Sequence, residues 1–216
     1  MNETIKNSSG ETIDHTFAKG SHRSERSDWI VVLGHGVTGN KGRPIIVDTA
    51  NALNVAGFDT LRFSFTGNGE SEGRFVDSTV SKEIGDLDGI LGSVSEKYTK
   101  ICYIGHSMGA AVGVICAAGD TRINALVSLA GMVDTKTFAE NEFGEEIPDS
   151  GLMWEDDDCP LSSVFMKDLC DTIGSVEPLV EAIETPSLLN LVAADLRAAT
   201  ERRSRSATLK VMAARR

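Results

Sequence analysis

Short runs dominated by apolar residues alternate along this chain with segments whose apolar residues recur every three or four positions. The runs are Trp29–Leu33, Thr60–Phe65, Lys100–Ile104, Ile123–Leu129 and Ser187–Val192. Such runs fit strands covered on both faces, as in a parallel sheet. Between them, Pro44–Ala56 sets Ile45, Val47, Ala50, Leu53 and Ala56 at helical spacing. Val80–Tyr98 does the same with Ile84, Leu87, Leu91 and Val94, and Met108–Ala118 is a helix of small residues. Strand and helix in alternation bury their apolar faces through right-handed crossovers on a mostly parallel sheet. Glu3–Lys6 and Glu11–Phe17 are short half-polar strand candidates around the turn cluster Asn7–Gly10, and Ala207–Met212 is a further strand candidate. Residues 135–180 read as acidic and irregular, with Trp154, Phe165 and Met166 embedded.

A chain of 216 residues fits one domain and can bury its core without a disulfide or metal staple. The 32 acidic residues outnumber the 21 basic ones, for a net charge of −11, which argues against nucleic acid and anionic lipid as partners. Met1–Gly10 has no apolar core of a secretory signal. The most apolar long window, Tyr103–Ala118, is broken by His106 and Ser107 and is short for a membrane span. The four cysteines show no CxxC spacing and fit reduced thiols. The expectation is a cytoplasmic protein with no metal, no cofactor and no membrane span.

Gly105-His106-Ser107-Met108-Gly109 is a G-x-S-x-G sequence, and its setting makes it informative. It follows the apolar strand 101–104 and opens the helix at Met108, the strand–turn–helix context of a nucleophile elbow. Such a turn strains the serine backbone, and flanking glycines keep neighbouring atoms clear. The Oγ then projects at the top of the sheet near the positive end of a helix. Ahead of it, Leu33–Gly39 is a Gly-rich loop after the first buried strand, able to aim N–H groups at an acyl oxygen. Acyl transfer builds negative charge there, and preorganised donors stabilise it. The expected donors are the amides of Val37 and Met108. A phosphate-cradling loop is the competing reading, but Asn40 follows Gly39 where a P-loop requires lysine.

With the His35-Gly36 loop, Arg62–Gly73 (RFSFTGNGESEG) and Gly105–Gly109 in this order, the chain resembles the α/β-hydrolase superfamily. The branch it resembles contains serine-aminopeptidase-like and monoacylglycerol-lipase-like hydrolases. The likeness runs from about Trp29 to Leu189 and implies an α/β-hydrolase fold: a mostly parallel sheet with helices on both faces. It also implies a lid at about 135–180 and a serine hydrolase acting on a small-molecule ester or other acyl substrate through Ser107.

The resemblance also implies an acid and a histidine after the serine, in that chain order. His15, His22, His35 and His106 all precede Ser107. The turn is expected to point His106 away, and His35 to brace the oxyanion loop by hydrogen bonds. Pro186–Asp195 keeps a strand and an acid at the offset of the family's His-Gly-x-x-Asp, with Leu191 and Val192 in place of His-Gly. Asp195 is the catalytic acid on this reading, or else a helix N-cap. Asp134 is an alternative acid. The composition changes in the same region: residues 196–216 hold seven basic residues and one acidic, against 14 and 31 in the rest. Either the native frame is lost after Leu189, or a genuine last strand occupies 207–212. The expected organisation is a hydrolase domain over 1–195 and a basic, poorly ordered or degenerate tail over 196–216. A non-catalytic protein of the same fold binding a small apolar ligand is the alternative.

Overall fold

The computed structural model describes residues 4–21 and 27–192. Asp195, His22, the 207–212 strand candidate and the basic tail lie outside the described residues. The strands are β1 (Ile5–Lys6), β2 (Thr12–Ile13), β3 (His15–Ala18), β4 (Trp29–Gly34), β5 (Asp59–Phe63), β6 (Lys100–His106), β7 (Ile123–Met132) and β8 (Ser187–Val192). The helices are α1 (Pro44–Val55), α2 (Val80–Ser95), α3 (Met108–Ala117), α4 (Thr135–Phe143), α5 (Ser163–Lys167) and α6 (Glu177–Val180).

Six strands form the central sheet in the order β3-β5-β4-β6-β7-β8. β4 lies parallel to β5, from Ile30 opposite Asp59 to Leu33 opposite Arg62, and parallel to β6, from Trp29 opposite Lys100 to Gly34 opposite Gly105. β7 continues in parallel on β6, and β8 on β7. Among the described strands of this sheet only β3 is antiparallel, on β5 at one edge. β1 and β2 make a separate antiparallel pair.

The unbroken apolar run of β4 serves two cores at once, because successive side chains of a strand point to opposite faces. Ile30 and Val32 enter the larger cluster with Leu87, Leu91 and Val112 from α2 and α3. Val31 and Leu33 enter the smaller one with Ile46 and Ala50 from α1. The inward stripe of α1 is therefore Ile46, Ala50 and Leu53, one residue out of phase with a stripe through Ile45. Pro44 at the first position fixes where the helix begins, and Ile45 is left 41% exposed.

Segment 135–180 is more regular than its acidic composition suggests. Asp134 and Ser162 cap α4 and α5 by accepting from the Thr137 and Phe165 amides. Phe143, Phe165 and Leu169 then pack back onto the large core. Among the described residues, no helix is long and apolar enough to cross a membrane.

Candidate active site

Ser107 sits between the last residue of β6 and the first of α3, with φ 52° and ψ −117°. A non-glycine residue there is strained and persists only where its surroundings over-determine it. The restraint comes from the backbone: the Ser107 amide donates to the Leu129 carbonyl at 3.0 Å, and the Ser107 carbonyl accepts from Met132 at 3.1 Å. β7 reaches both groups through an irregularity between Ser128 and Gly131, where Ala130 also has positive φ, 49°. The flanking glycines are sterically required. A Cβ on Gly105 would collide with the Gly109 carbonyl and with Ala110, and one on Gly109 with the His35 carbonyl. Close packing of α3 on the loop after β4 depends on Gly109, and the tight β6–α3 reversal on Gly105.

That loop carries His35, which is 1% exposed. Its Nε2 accepts from the Phe65 amide at 2.9 Å, so Nδ1 carries the proton and donates to the Gly36 carbonyl at 2.8 Å. Burial pushes its pKa down to about 4, against the pull of the Gly36 carbonyl, and Arg43 and His106 lower it further. A neutral ring with both nitrogens engaged braces the loop, as expected of it, and is not free to take a proton from Ser107. Gly36 in turn lies directly over the serine: a Cβ there would be 2.8 Å from the Ser107 Cβ.

Ser107 and His106 line a cleft of about 430 Å³ with Gly36, Val37, Phe138 and Trp154. Arg43, Pro44 and Ile45 complete its wall. A smaller pocket of about 10 Å³ lies beside it, and Val37 and Met108 both line this one with Asn68, Ser78 and Phe165. Val37 is thus common to both, and Met108 follows the serine directly. Among the described residues, no protein acceptor takes the amide hydrogen of Val37 or Met108.

His106 is not turned out of the cleft; its Nδ1 would lie 3.3 Å from a Cβ on Gly36. Burial lowers its pKa, and Arg43 adds to the effect. No hydrogen bond joins it to Ser107 among the described residues. His15 lies on β3 with Nδ1 3.0 Å from the Ile13 carbonyl. Asp134 is spent on capping α4, and Asp195 lies outside the described residues. Lys41, the cation a phosphate loop would have needed, is held by Asp14 at 2.6 Å. Trp154 lines the cleft, whereas Phe165 is 2% exposed and Met166 packs on the large core, so the embedded apolar residues divide between cleft wall and core. The wall residues Arg43, Ile45 and Phe138 carried no sequence signal of their own beyond Ile45 being apolar in a helix. Among the described residues, no group of three or more His, Cys, Asp or Glu side chains is placed to hold a metal ion. The four cysteines are unpaired, and burial pushes the Cys102 and Cys116 thiols up to about 11 and 12.

The fold is similar to that of several solved structures. Est1E from Butyrivibrio proteoclasticus, solved with ferulic acid bound, is 22% identical with a TM-score of 0.70, over 87% of this chain and 77% of that one. The Pyrococcus furiosus esterase Pf2001 is 22% identical with a TM-score of 0.64, over 87% of this chain and 68% of that one. The alpha/beta hydrolase GrgF from Penicillium sp. sh18 is 16% identical with a TM-score of 0.65, over 87% and 78%. At these identities the likeness establishes the fold. No curated protein sequence matches the chain. The sequence profile of the serine aminopeptidase S33 family matches residues 25–146, more than half of the 216. The chain belongs to this family of α/β-hydrolases.

Proposed function

We propose that this protein is an esterase-type serine hydrolase in which Ser107 attacks the carbonyl of a small-molecule acyl substrate. The carbonyl oxygen becomes an oxyanion held by the Val37 and Met108 amides, the alcohol leaves, and water releases the acyl group from Ser107. The observation that carries this reading is the strained Ser107 turn on a cleft wall that Val37 shares, the Val37 and Met108 amides having no protein acceptor among the described residues. Segment 135–180 supplies Phe138 and Trp154 to the cleft and is read as its lid, and the location proposed is cytoplasmic.

The weak point in the machinery is the base. No histidine follows Ser107 in the sequence, and His35 is committed to the loop. Asp195, the proposed acid, lies outside the described residues. Loss of one member of such a unit can cost about as much as losing all of it, on the order of 10⁶ in rate. Slow acylation with little turnover is therefore expected of this chain. The absence of a base bonded to Ser107 among the described residues favours a second reading, a non-catalytic member of the fold holding a small apolar ligand. A fluorophosphonate probe separates the two. Labelling of the wild type that Ser107→Ala abolishes supports the hydrolase; folded protein that never labels supports the binding protein.

A further inference from the structure

The cleft wall is apolar over most of its extent, through Val37, Pro44, Ile45, Phe138 and Trp154. Against this background stands one formal charge, the guanidinium of Arg43. It donates one hydrogen bond, from Nη2 to the Thr38 carbonyl at 2.9 Å, and that bond fixes its position at the rim of the loop. Among the described residues it has no carboxylate partner, and no acidic residue occupies the first turn of α1 to neutralise it. Its neighbour His106 has its pKa lowered by burial and by Arg43, which disfavours a second cation there. Carboxylates also stand near: Glu142 accepts from Trp154 Nε1 at 2.8 Å, and Asp156 and Asp158 share the surroundings of the Cys159 thiol with Arg43. An anionic group would be held at the free N–H groups of Arg43 and repelled on the Glu142 side, which gives the cleft a polarity.

We infer that the acyl compound taken by this cleft carries a carboxylate, engaged by Arg43 while its apolar part lies against Ile45, Phe138 and Trp154. The inference rests on the reading of the Ser107 cleft as the substrate site. A guanidinium offers a planar fork of donors that matches a carboxylate, and the remaining N–H groups of Arg43 are those that would bond it. The net charge of −11 repels anions at long range, but exposed charges beyond about 8–10 Å are screened at physiological salt. Selection by Arg43 is therefore local. It separates carboxylate-bearing esters from neutral ones of the same shape.

The test reads binding, so that it does not depend on turnover. The full chain is titrated with 4-phenylbutyrate and with its neutral isostere 4-phenylbutyramide, and Trp fluorescence is followed, since Trp154 lines the cleft and Trp29 lies away from it at the start of β4. The wild type is expected to prefer the carboxylate by about three- to tenfold, the range for a charge-assisted pair that is partly exposed. Arg43→Gln is expected to erase the preference and Arg43→Lys to keep part of it. Equal affinity for the two ligands, an unchanged preference in Arg43→Gln, or no binding of the carboxylate would each overturn the inference. Labelling of Ser107 by a neutral fluorophosphonate is measured alongside. Carboxylate preference without labelling keeps Arg43's role and discards the hydrolase. Labelling without preference does the reverse.

Discussion

The backbone amide of Phe65 donates across 2.9 Å to Nε2 of His35, thirty residues earlier in the chain. This bond ties the loop over Ser107 to the end of β5 and fixes which nitrogen of the ring is protonated. It succeeds only with a neutral imidazole, because a charged ring has no acceptor. Replacing His35 by Ala leaves the Phe65 N–H and Gly36 C=O without this partner, at a cost of about 3 kcal/mol. For a chain of this size that is a fall in Tm of about 6–12 °C.

Burial of the same ring sets a pH dependence. The pKa of His35 falls from 6.5 unfolded to about 4 folded, worth about 3 kcal/mol between the two protonation states. Between those values the unfolded chain binds the extra proton, so stability rises with pH. This contribution is complete above about pH 6.5 and is lost as the pH falls towards 4. Urea unfolding at pH 4.5 and pH 7 should show a difference that shrinks markedly in His35→Gln. An equal difference in the two proteins would assign the acid sensitivity elsewhere.

Ser107 has positive φ because the Leu129 carbonyl and Met132 amide hold it there, and the strain costs about 1–3 kcal/mol. Ser107→Gly should relieve it, and glycine's greater unfolded freedom returns about 0.5–1 kcal/mol. The glycine variant is thus expected to be more stable than Ser107→Ala by about 1–2 kcal/mol, with labelling lost in both. Equal stability of the two would mean that the turn is not strained in solution.

The strands were legible because a two-faced apolar run has few other homes; Ser187–Val192 coincides end to end with β8. The G-x-S-x-G turn was legible for a similar reason, since its glycines answer collisions that only a strand-to-helix reversal produces. The phase of α1 was less legible: Ile45 and Ile46 are both apolar, and only contact with Val31, Leu33 and Ile104 selects the second. α4 and α5 were hidden because they begin at capping side chains within an acidic stretch and pack on residues far off in sequence. Arg43 gave no sign of lining the same cleft as Ser107. That placement arises where the loop after β4, the β6–α3 turn and segment 135–180 meet.

Gly36 is the closest test of the loop's fit over the serine. A methyl group there would lie 2.8 Å from the Ser107 Cβ and 3.3 Å from the His106 carbonyl oxygen. These neighbours are backbone or held by it, so the loop must move, and with it the Val37 amide. Gly36→Ala is expected to slow fluorophosphonate labelling at least about tenfold, the scale of a displaced oxyanion donor, at a stability cost of about 1–3 kcal/mol from overpacking. Labelling at the wild-type rate in the folded variant would separate Val37 from any part in the chemistry.

Glu83 points the pH dependence the other way. It lies on α2 and is 1% exposed, and among the described residues neither carboxyl oxygen meets full hydrogen-bond geometry, the nearby Ser78 side chain offsetting only part of the rise in its pKa. Burial first, and then the carboxylates of Asp86 and Asp168, raise its pKa well above the usual 4.5. The folded state therefore holds this proton to a higher pH than the unfolded chain does. With fewer protons bound in the unfolded state, stability falls as pH rises above about 4.5 and stops falling only past the folded pKa. Asp86 contributes in the same direction, since burial raises it despite its bonds from Asn7 and Thr66. Glu83→Gln removes the titration but keeps a polar group in the core, so it should flatten the fall in stability above about pH 4.5 without abolishing it. Glu83→Leu removes the unpartnered group as well and should stabilise the protein by about 1–3 kcal/mol at pH 8, and by less at pH 5. Urea unfolding of the three proteins at pH 5, 7 and 9 measures all of this. A Glu83→Gln slope equal to that of the wild type would mean that the Glu83 carboxyl is solvated or paired in solution.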